Sequence, residues 1–511
     1  MSRFAPMEDL DRKGRRTTRD LKPRYHVRMG ALFAVVVLIA AACSTSSTSP
    51  STSAAPGASA TTGTSAAPGG SSGAGGAPIA LKISANAVVG GKNDLTAEWI
   101  TTYVIPTFQQ MMAAQGENVT VTFAGSGAAD EDYKTQLGLD FKTGGGADVI
   151  VGLDDIWVGE FAEANYIKPL NQVGGAAVDS WDGWSQISQA AQDDMSYNGQ
   201  RFGIASGLDG RVLYFNKDVL AAAGLPADWQ PKSWADIITA AQQIKTKDPG
   251  VTPLQINAGT AMGEATTAQG FLPLLVGTGV NIYDQTTQKW QGNTPQIRDV
   301  LTFYQQIYGS SGLGDPQIQL AAKGRDQSFL EFSQKKIGIL LEGDYLWRSV
   351  INPKGGIDPE ADRDTNVGWA LIPAKTPGSG IKGQNFVSIS GGGGSVLNPN
   401  TKSPKEAWAL LSFMASKDAV TASVSKQVRI TMRTDVNAAT LTQDPLLTFV
   451  STKVFPITAV RPGLAVYDQV SQALQLASQE VVAGKSPADA ATDYQNALTK
   501  LVGADHIASG G

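Results

Sequence analysis

Apolar and polar positions alternate along this chain with two periods, and the two periods take turns. Leu81–Ala85 (LKISA) and Val119–Phe123 (VTVTF) are apolar at every second position, as expected of strands with one buried face. Ala147–Gly152 (ADVIVG) is apolar almost throughout, which suits a strand covered on both faces. Between these runs, Leu95–Met112 and Asp132–Thr143 repeat at helical spacing. Further strands are predicted at Arg201–Ala205, Val212–Asn216, Ile337–Leu341, Val367–Ile372 and Ser395–Leu397. Helix starts are marked where Ser403-Pro404 and Ser486-Pro487 place a cap residue before a first-turn proline, with Glu406 and Asp489 three residues after the cap. Ser233 and Asp236 repeat the cap and the acid. Strand and helix in alternation predict an α/β architecture with largely parallel sheets. The patterned region, Pro78 to Gly503, is about 425 residues, too many for one core, so two domains are expected.

Before Pro78 the pattern is of another kind. Gly30–Ala42 (GALFAVVVLIAAA) is an uncharged run of 13 residues, short for a membrane span but suited to the core of a secretory signal. Cys43, the single cysteine, follows it directly. A cysteine after small residues at this place resembles a bacterial lipobox, although Ala40 stands where leucine is usual. The resemblance implies cleavage before Cys43 and lipid attachment to its thiol. Residues 43–78 contain only Cys, Ser, Thr, Gly, Ala and Pro, a composition that cannot bury a core. A flexible tether of about 36 residues has a root-mean-square span on the order of 30–36 Å. The expected organisation is a leader over 1–42, a tether over 43–78, the folded part, and a tail over 504–511.

Charge and composition narrow the function. The chain has 41 Lys and Arg against 46 Asp and Glu. Nine of the bases and four of the acids lie in residues 1–29, so removal of the leader leaves 32 bases and 42 acids. Such an acidic balance argues against nucleic acid as a partner. The basic flank places the N-terminus of the signal inside; Arg15-Arg16 lacks the following apolar pair of a twin-arginine signal. The two histidines are His26, in the leader, and His506, in the tail. The folded part therefore has neither histidine nor cysteine, which excludes Ser-His-Asp and Cys-His catalysis, thiolate zinc sites and imidazole metal sites. Neither a GxxxxGK[ST] loop nor a strand-linked GxGxxG occurs, and no cofactor is expected. Carboxylates, amides, hydroxyls and aromatic rings remain. Those groups suit a sugar, whose hydroxyls need planar polar partners and whose ring faces stack on Trp or Tyr.

Seven segments in order resemble the extracellular solute-binding proteins of ABC importers, in their carbohydrate-binding, maltose-binding-protein-like branch. They are Ala147–Ile150 with Asp154–Trp157 and Phe161–Leu170 (FAEANYIKPL); Tyr197–Ile204; Asp209–Asp218, which ends in a "YNKD"-like turn with Phe215 for the usual Tyr; Pro231–Trp234; Ile337–Trp347 (IGILLEGDYLW); Gly391–Leu397 (GGGGSVL); and Arg461-Pro462 through Tyr467 to Ser486–Ala490. The resemblance covers roughly residues 79–503. It implies a two-lobe, type II periplasmic-binding-protein-like fold with a hinge and an interlobe cleft. Crossings are expected near Gly207–Val212, Trp369–Pro373 and Thr431–Thr434. Lobe one would then hold 79–208 plus 373–431, and lobe two 210–370 plus 434–503. The implied function is that of a lipid-anchored monomer outside the cytoplasmic membrane that closes on a sugar and presents it to the importer's permease subunits.

Ligands of open α/β sheets sit beyond the strand ends. Asp154, Asp155 and Trp157 follow a predicted buried strand and are expected to contact ligand, solvated acids being the alternative. Asp209 and Arg211 flank the presumed hinge, where they could also be partners of one another. Tyr345 and Trp347 follow Gly343 at a spacing that cannot share one helical face, so one is expected in the cleft and the other in the core; by resemblance Tyr345 has the stacking position. Asp344 could instead complement a helix dipole. Gly391, Gly392 and Gly393 allow close backbone approach to a ligand or form a plain turn. Asn86, Gly125 and Ser126 follow the first two strands. Trp99, Trp234 and Trp408 lie in helical patterns and read as core. Two other functions use the same residues. A secreted glycosidase needs two carboxylates, which the adjacent Asp154-Asp155 pair supplies poorly because neighbouring side chains diverge. Capture of a polyamine or other solute would use the same acids with aromatic walls.

Overall fold

The computed structural model describes residues 78–508 and Gly510. Cys43, the leader and all of the tether but Pro78 lie outside the described residues. Among those described, no helix is long and apolar enough to cross a membrane.

Two sheets form the centres of two lobes. Strands β1 (Ile79–Ala85), β2 (Val119–Gly125), β3 (Val149–Asp154) and β4 (Gly203–Leu208) precede the first passage between them. β5 (Arg211–Asn216), β6 (Thr252–Ile256), β7 (Ile337–Gly343) and β8 (Val367–Ala370) follow it. β9 (Phe386–Ser390) and β10 (Gly392–Leu397) come next, and β11 (Thr458–Val460) lies near the C-terminus. The first sheet has the order β2-β1-β3-β10-β4 and the second β8-β5-β7-β6. The α/β class and two-lobe type II fold expected from the sequence are observed. The sheets are mixed, however, where largely parallel ones were expected. β1 runs parallel to β2 and β3, but β10 is antiparallel to both β3 and β4. β7 is parallel to β6 while β5 is antiparallel to β7 and β8. The reason is topological: β10 enters the first sheet from the other lobe, so it comes from the opposite end.

The local chemistry of the elements matches their patterns. In β5, Leu213 and Phe215 enter one hydrophobic core and Val212 and Tyr214 the other, so this strand is covered on both faces. Truncating a fully buried ring such as Phe215 to alanine would cost about 3–5 kcal/mol. The Leu95–Met112 pattern is a helical run of Asp94–Trp99, a π-helical turn and Ile105–Ala114. Ser233 and Ser486 cap their helices, accepting from the amides of Asp236 at 3.2 Å and Asp489 at 3.1 Å. Ser403 precedes the helix Pro404–Met414 without a side-chain cap; its own amide donates to Thr401 Oγ1 at 3.3 Å. Strands β6, β9 and β11 were not predicted. Between Trp369–Pro373, the expected second crossing, and β10 the chain runs through β9, which pairs with β11 and packs on the helix Leu272–Val276.

Candidate functional site

Parallel pairing of β1 and β3 brings their C-terminal ends to one edge of the first sheet, with Asn86 after β1 and Asp154 closing β3. The antiparallel strands deliver their own segments there, since Gly393 pairs with Asp154 and Gly392 with Leu208. The glycines are needed for approach. A Cβ on Gly393 would lie 2.5 Å from the Leu153 carbonyl oxygen, and one on Gly392 would lie 2.6 Å from that of Gly207. Side chains in this run would force the strands apart.

Against this edge lies a cavity of about 290 Å³, walled by Trp99, Tyr133 and Trp157 and carrying Asn86, Asp154, Ser206 and Arg429. Ser206, Gly392, Gly393 and Arg429 also line a second cavity of about 190 Å³, which adds Asp209, Asp344, Arg348 and Gly391 at the junction of the lobes. Three buried polar atoms of residues lining the larger cavity have no partner among the described residues: Asn86 Oδ1, the Tyr133 hydroxyl and Trp157 Nε1. Asn86 is held in place by its amide, which donates to the Ala128 carbonyl at 3.2 Å and to Asp130 Oδ1 at 2.9 Å. Its oxygen thus remains a fixed, open acceptor beside an open indole donor. Leaving such groups unpaired costs about 1–3 kcal/mol each, so a ligand that satisfies them gains correspondingly. Burial pushes the Tyr133 phenol up to about 12.

Behind the edge sits an ion network. Arg461 is buried and donates to Asp155, to Asp154 at 3.1 Å and to Glu264 at 3.2 Å. Glu264 also accepts from the Tyr467 hydroxyl at 2.7 Å, and Lys134 pairs with Asp468 and with Glu160. These contacts tie the end of β3 and the helix Asp130–Lys142 to the C-terminal helix Tyr467–Val482. Asp194 lies behind Gly392, with both carboxylate oxygens unpartnered among the described residues. Its pKa is pushed up to about 7, chiefly by burial. Burial also raises Asp155 well above the carboxylate range, with Arg461 opposing and Asp194 and Asp154 adding to the rise.

The residues singled out in the sequence fall in several places. Asn86, Asp154, Trp157, Gly392 and Gly393 line the larger cavity, and Asp209, Asp344 and Gly391 line the smaller one. Asp155 is buried between Arg461 and the Gly392 amide, which donates to it at 3.3 Å. Arg211 is buried and engaged by protein groups: Gln269 at 2.7 Å, the Ile389 carbonyl at 3.1 Å, and Asp209. Asp344 is buried against Arg348. Tyr345 is 36% exposed, with the Arg348 guanidinium 5.5 Å from its ring centre, but it lines neither cavity. Trp347 lies in the core, its Nε1 donating to Asp444 at 3.0 Å and its ring under Arg363 at 3.7 Å. Gly125 ends β2 and Ser126 follows it; neither lines a cavity, and the Ser126 amide donates to the Ala85 carbonyl at 2.9 Å.

Sequence reasoning missed Arg429, Asp194, Arg461, Glu264 and Tyr133. Arg429 sits between Val428 and Ile430 with Lys426 and Arg433 close by, so nothing local in the sequence set it apart. Trp99, read as core, packs on the core with part of its surface and lines the cavity with another. Among the described residues, no group of three or more acids, histidines or cysteines is placed to hold a metal ion.

The fold is that of known binding proteins. A solute-binding protein of an ABC transporter from Thermotoga lettingae, solved with alpha-D-tagatose, is 22% identical with a TM-score of 0.65, covering 83% of this chain and 99% of its own. The GacH receptor of Streptomyces glaucescens, solved unliganded and with acarbose, is 21% identical with a TM-score of 0.64, covering 84% of this chain and 99% of its own. The maltose-bound MalE3 of T. maritima is 19% identical with a TM-score of 0.64, covering 83% of this chain and 100% of its own. In sequence, a binding protein of Brucella abortus is 22% identical over 341 residues, 66% of this chain and 75% of that protein. The model of the bacterial extracellular solute-binding proteins matches residues 98–421, and this chain, a binding protein rather than an enzyme, belongs to that family.

Proposed function

We propose that this chain captures a sugar or oligosaccharide between its lobes and delivers it to the permease of an ABC importer, held at the outer face of the membrane by a lipid on Cys43. The observation that carries the reading is the larger cavity. It combines three aromatic walls with an open acceptor on Asn86 and an open donor on Trp157, a set that matches ring faces and hydroxyls. Solved relatives of the same fold hold tagatose, acarbose and maltose, which supports the class of ligand. Polyamine capture finds less support, because Asp154, Asp209 and Asp344 already pair with Arg461, Arg211 and Arg348. A thermal-shift screen of sugars against polyamines tests the reading, since a ligand that binds only the folded state raises its melting temperature. Stabilisation by polyamines alone would replace sugar capture with the alternative. Anchoring has its own test. Cys43→Ala should leave the protein uncleaved or release it from the membrane fraction, and normal processing and retention of that variant would reject the lipid anchor.

A further inference from the structure

The arginines around the hinge are not equivalent. Arg211 holds Asp209, Arg348 holds Asp344, Arg433 holds Asp435, and Arg461 holds Asp154, Asp155 and Glu264. Arg429 holds no carboxylate of the described residues. Its one hydrogen bond is from Nη2 to Ser423 Oγ at 3.5 Å, the outer limit of such a bond. It nonetheless lies half-buried where the two cavities meet, lining both. Burial and, to a smaller extent, the neighbouring Arg348 lower its pKa to about 10, so it keeps its charge at neutral pH but at a cost. A desolvated cation with no counter-charge is an arrangement that proteins avoid unless something completes it. A guanidinium offers a planar fork of donors, which carboxylate and phosphate oxygens fill in pairs.

We propose that the ligand is an anionic carbohydrate, whose carboxylate or phosphate group docks on Arg429 while its hydroxyls reach Asn86 Oδ1 and Trp157 Nε1 in the same cavity. The proposal rests on sugar capture and adds the charge. The other cleft arginines hold carboxylates of their own, so the cation left to pair with an anion in this cavity is Arg429. A neutral sugar would satisfy Asn86 Oδ1 and Trp157 Nε1 and leave the cation uncompensated.

The test is titration calorimetry on the mature full-length protein with paired ligands: glucose, glucuronate and glucose 6-phosphate, then maltose and a maltose-length oligouronate. Glucuronate and glucose 6-phosphate separate carboxylate from phosphate. The acidic member that fits is expected to bind roughly ten- to a hundred-fold more tightly than its neutral partner, the range of a charge-assisted hydrogen bond. Salt should erode that preference. Arg429→Gln should abolish the preference, and Arg429→Lys should retain part of it. Two measurements need no sugar. Arg429→Gln should melt at the same temperature as the wild type or above it, because it removes an uncompensated, half-buried charge. Inorganic phosphate should raise the melting temperature of the wild type and not of Arg429→Gln. Equal affinity for acidic and neutral sugars would overturn the proposal and leave sugar capture standing. If no sugar of either kind binds, sugar capture fails as well, and phosphate stabilisation that depends on Arg429 would then keep the anion site alone. A variant that loses much of its stability, or phosphate stabilisation that ignores Arg429, would make this residue structural.

Discussion

The two sheet edges that face each other across the hinge treat their buried polar groups in opposite ways. At the edge of the second sheet, Glu342 is fully buried at the end of β7 and completely engaged. Arg325 donates to both of its oxygens at 2.8 and 2.9 Å, Asn257 donates at 2.7 Å, and the Gly343 amide donates at 3.0 Å. At the edge of the first sheet, Asn86 Oδ1, Trp157 Nε1 and both oxygens of Asp194 have no partner among the described residues. Burial is similar at the two edges, but satisfaction differs. A saturated buried carboxylate holds structure together and has nothing left to offer a ligand. Open groups on rigid strand ends cost stability until something arrives to fill them. The first edge is therefore the receptive one, even though both edges carry charged residues of the same types.

Breaking the saturated edge should give the largest effect. Arg325→Met strands Glu342 as an unpaired buried charge and should cost about 3–5 kcal/mol of stability, read from chemical denaturation with and without ligand. A loss below about 1 kcal/mol would mean that the edge is not saturated in solution. Changing the open edge should move binding more than folding. Asn86→Ala removes a fixed acceptor and should weaken ligand binding by about 1–3 kcal/mol in calorimetry, while unfolding of the ligand-free protein shifts by about 1 kcal/mol or less. The reverse ranking would place Asn86 among the structural groups.

Asp194 gives an effect of the opposite sign. Its folded pKa of about 7 lies above the ordinary 3.8, mainly because of burial, with Arg461 opposing and Asp154 and Asp209 adding to the rise. The folded state therefore binds more protons than the unfolded state between those values, and stability falls as pH rises through that window. Asp194→Asn should flatten that fall and stabilise the protein at pH 8, with little change at pH 4. Melting curves at the two pH values would measure it, and a destabilised variant at pH 8 would show that the charged carboxylate has a partner in solution.

Much of the fold was legible because its signals are local. The alternation in Leu81–Ala85 and the apolar run of Val212–Asn216 appear as strands, and Ser233 and Ser486 cap the helices they announce. The run Gly391–Gly394 marked a place of close approach, although only the pairing with β3 and β4 shows what approaches. The site was legible in part. Asn86, Asp154 and Trp157 could be named because they follow strands, and strand ends of one sheet share an edge. Trp347 and Arg211 could not be separated from them by sequence, since residue type does not tell whether a side chain is already engaged.

The sequence by itself determined the alternation of elements, the need for two cores, the absence of histidine and cysteine from the folded part, and the approximate places of most central strands. Each is a property of composition or of neighbours within a few residues. Only the tertiary structure decided which polar groups are satisfied. Arg461 meets Asp155 across 306 positions, Arg211 meets the Ile389 carbonyl across 178, and Arg429 meets no carboxylate at all among the described residues. Whether a buried charge has a partner depends on chain segments brought together by sheet pairing and by the passages between lobes, and no local pattern encodes that distance.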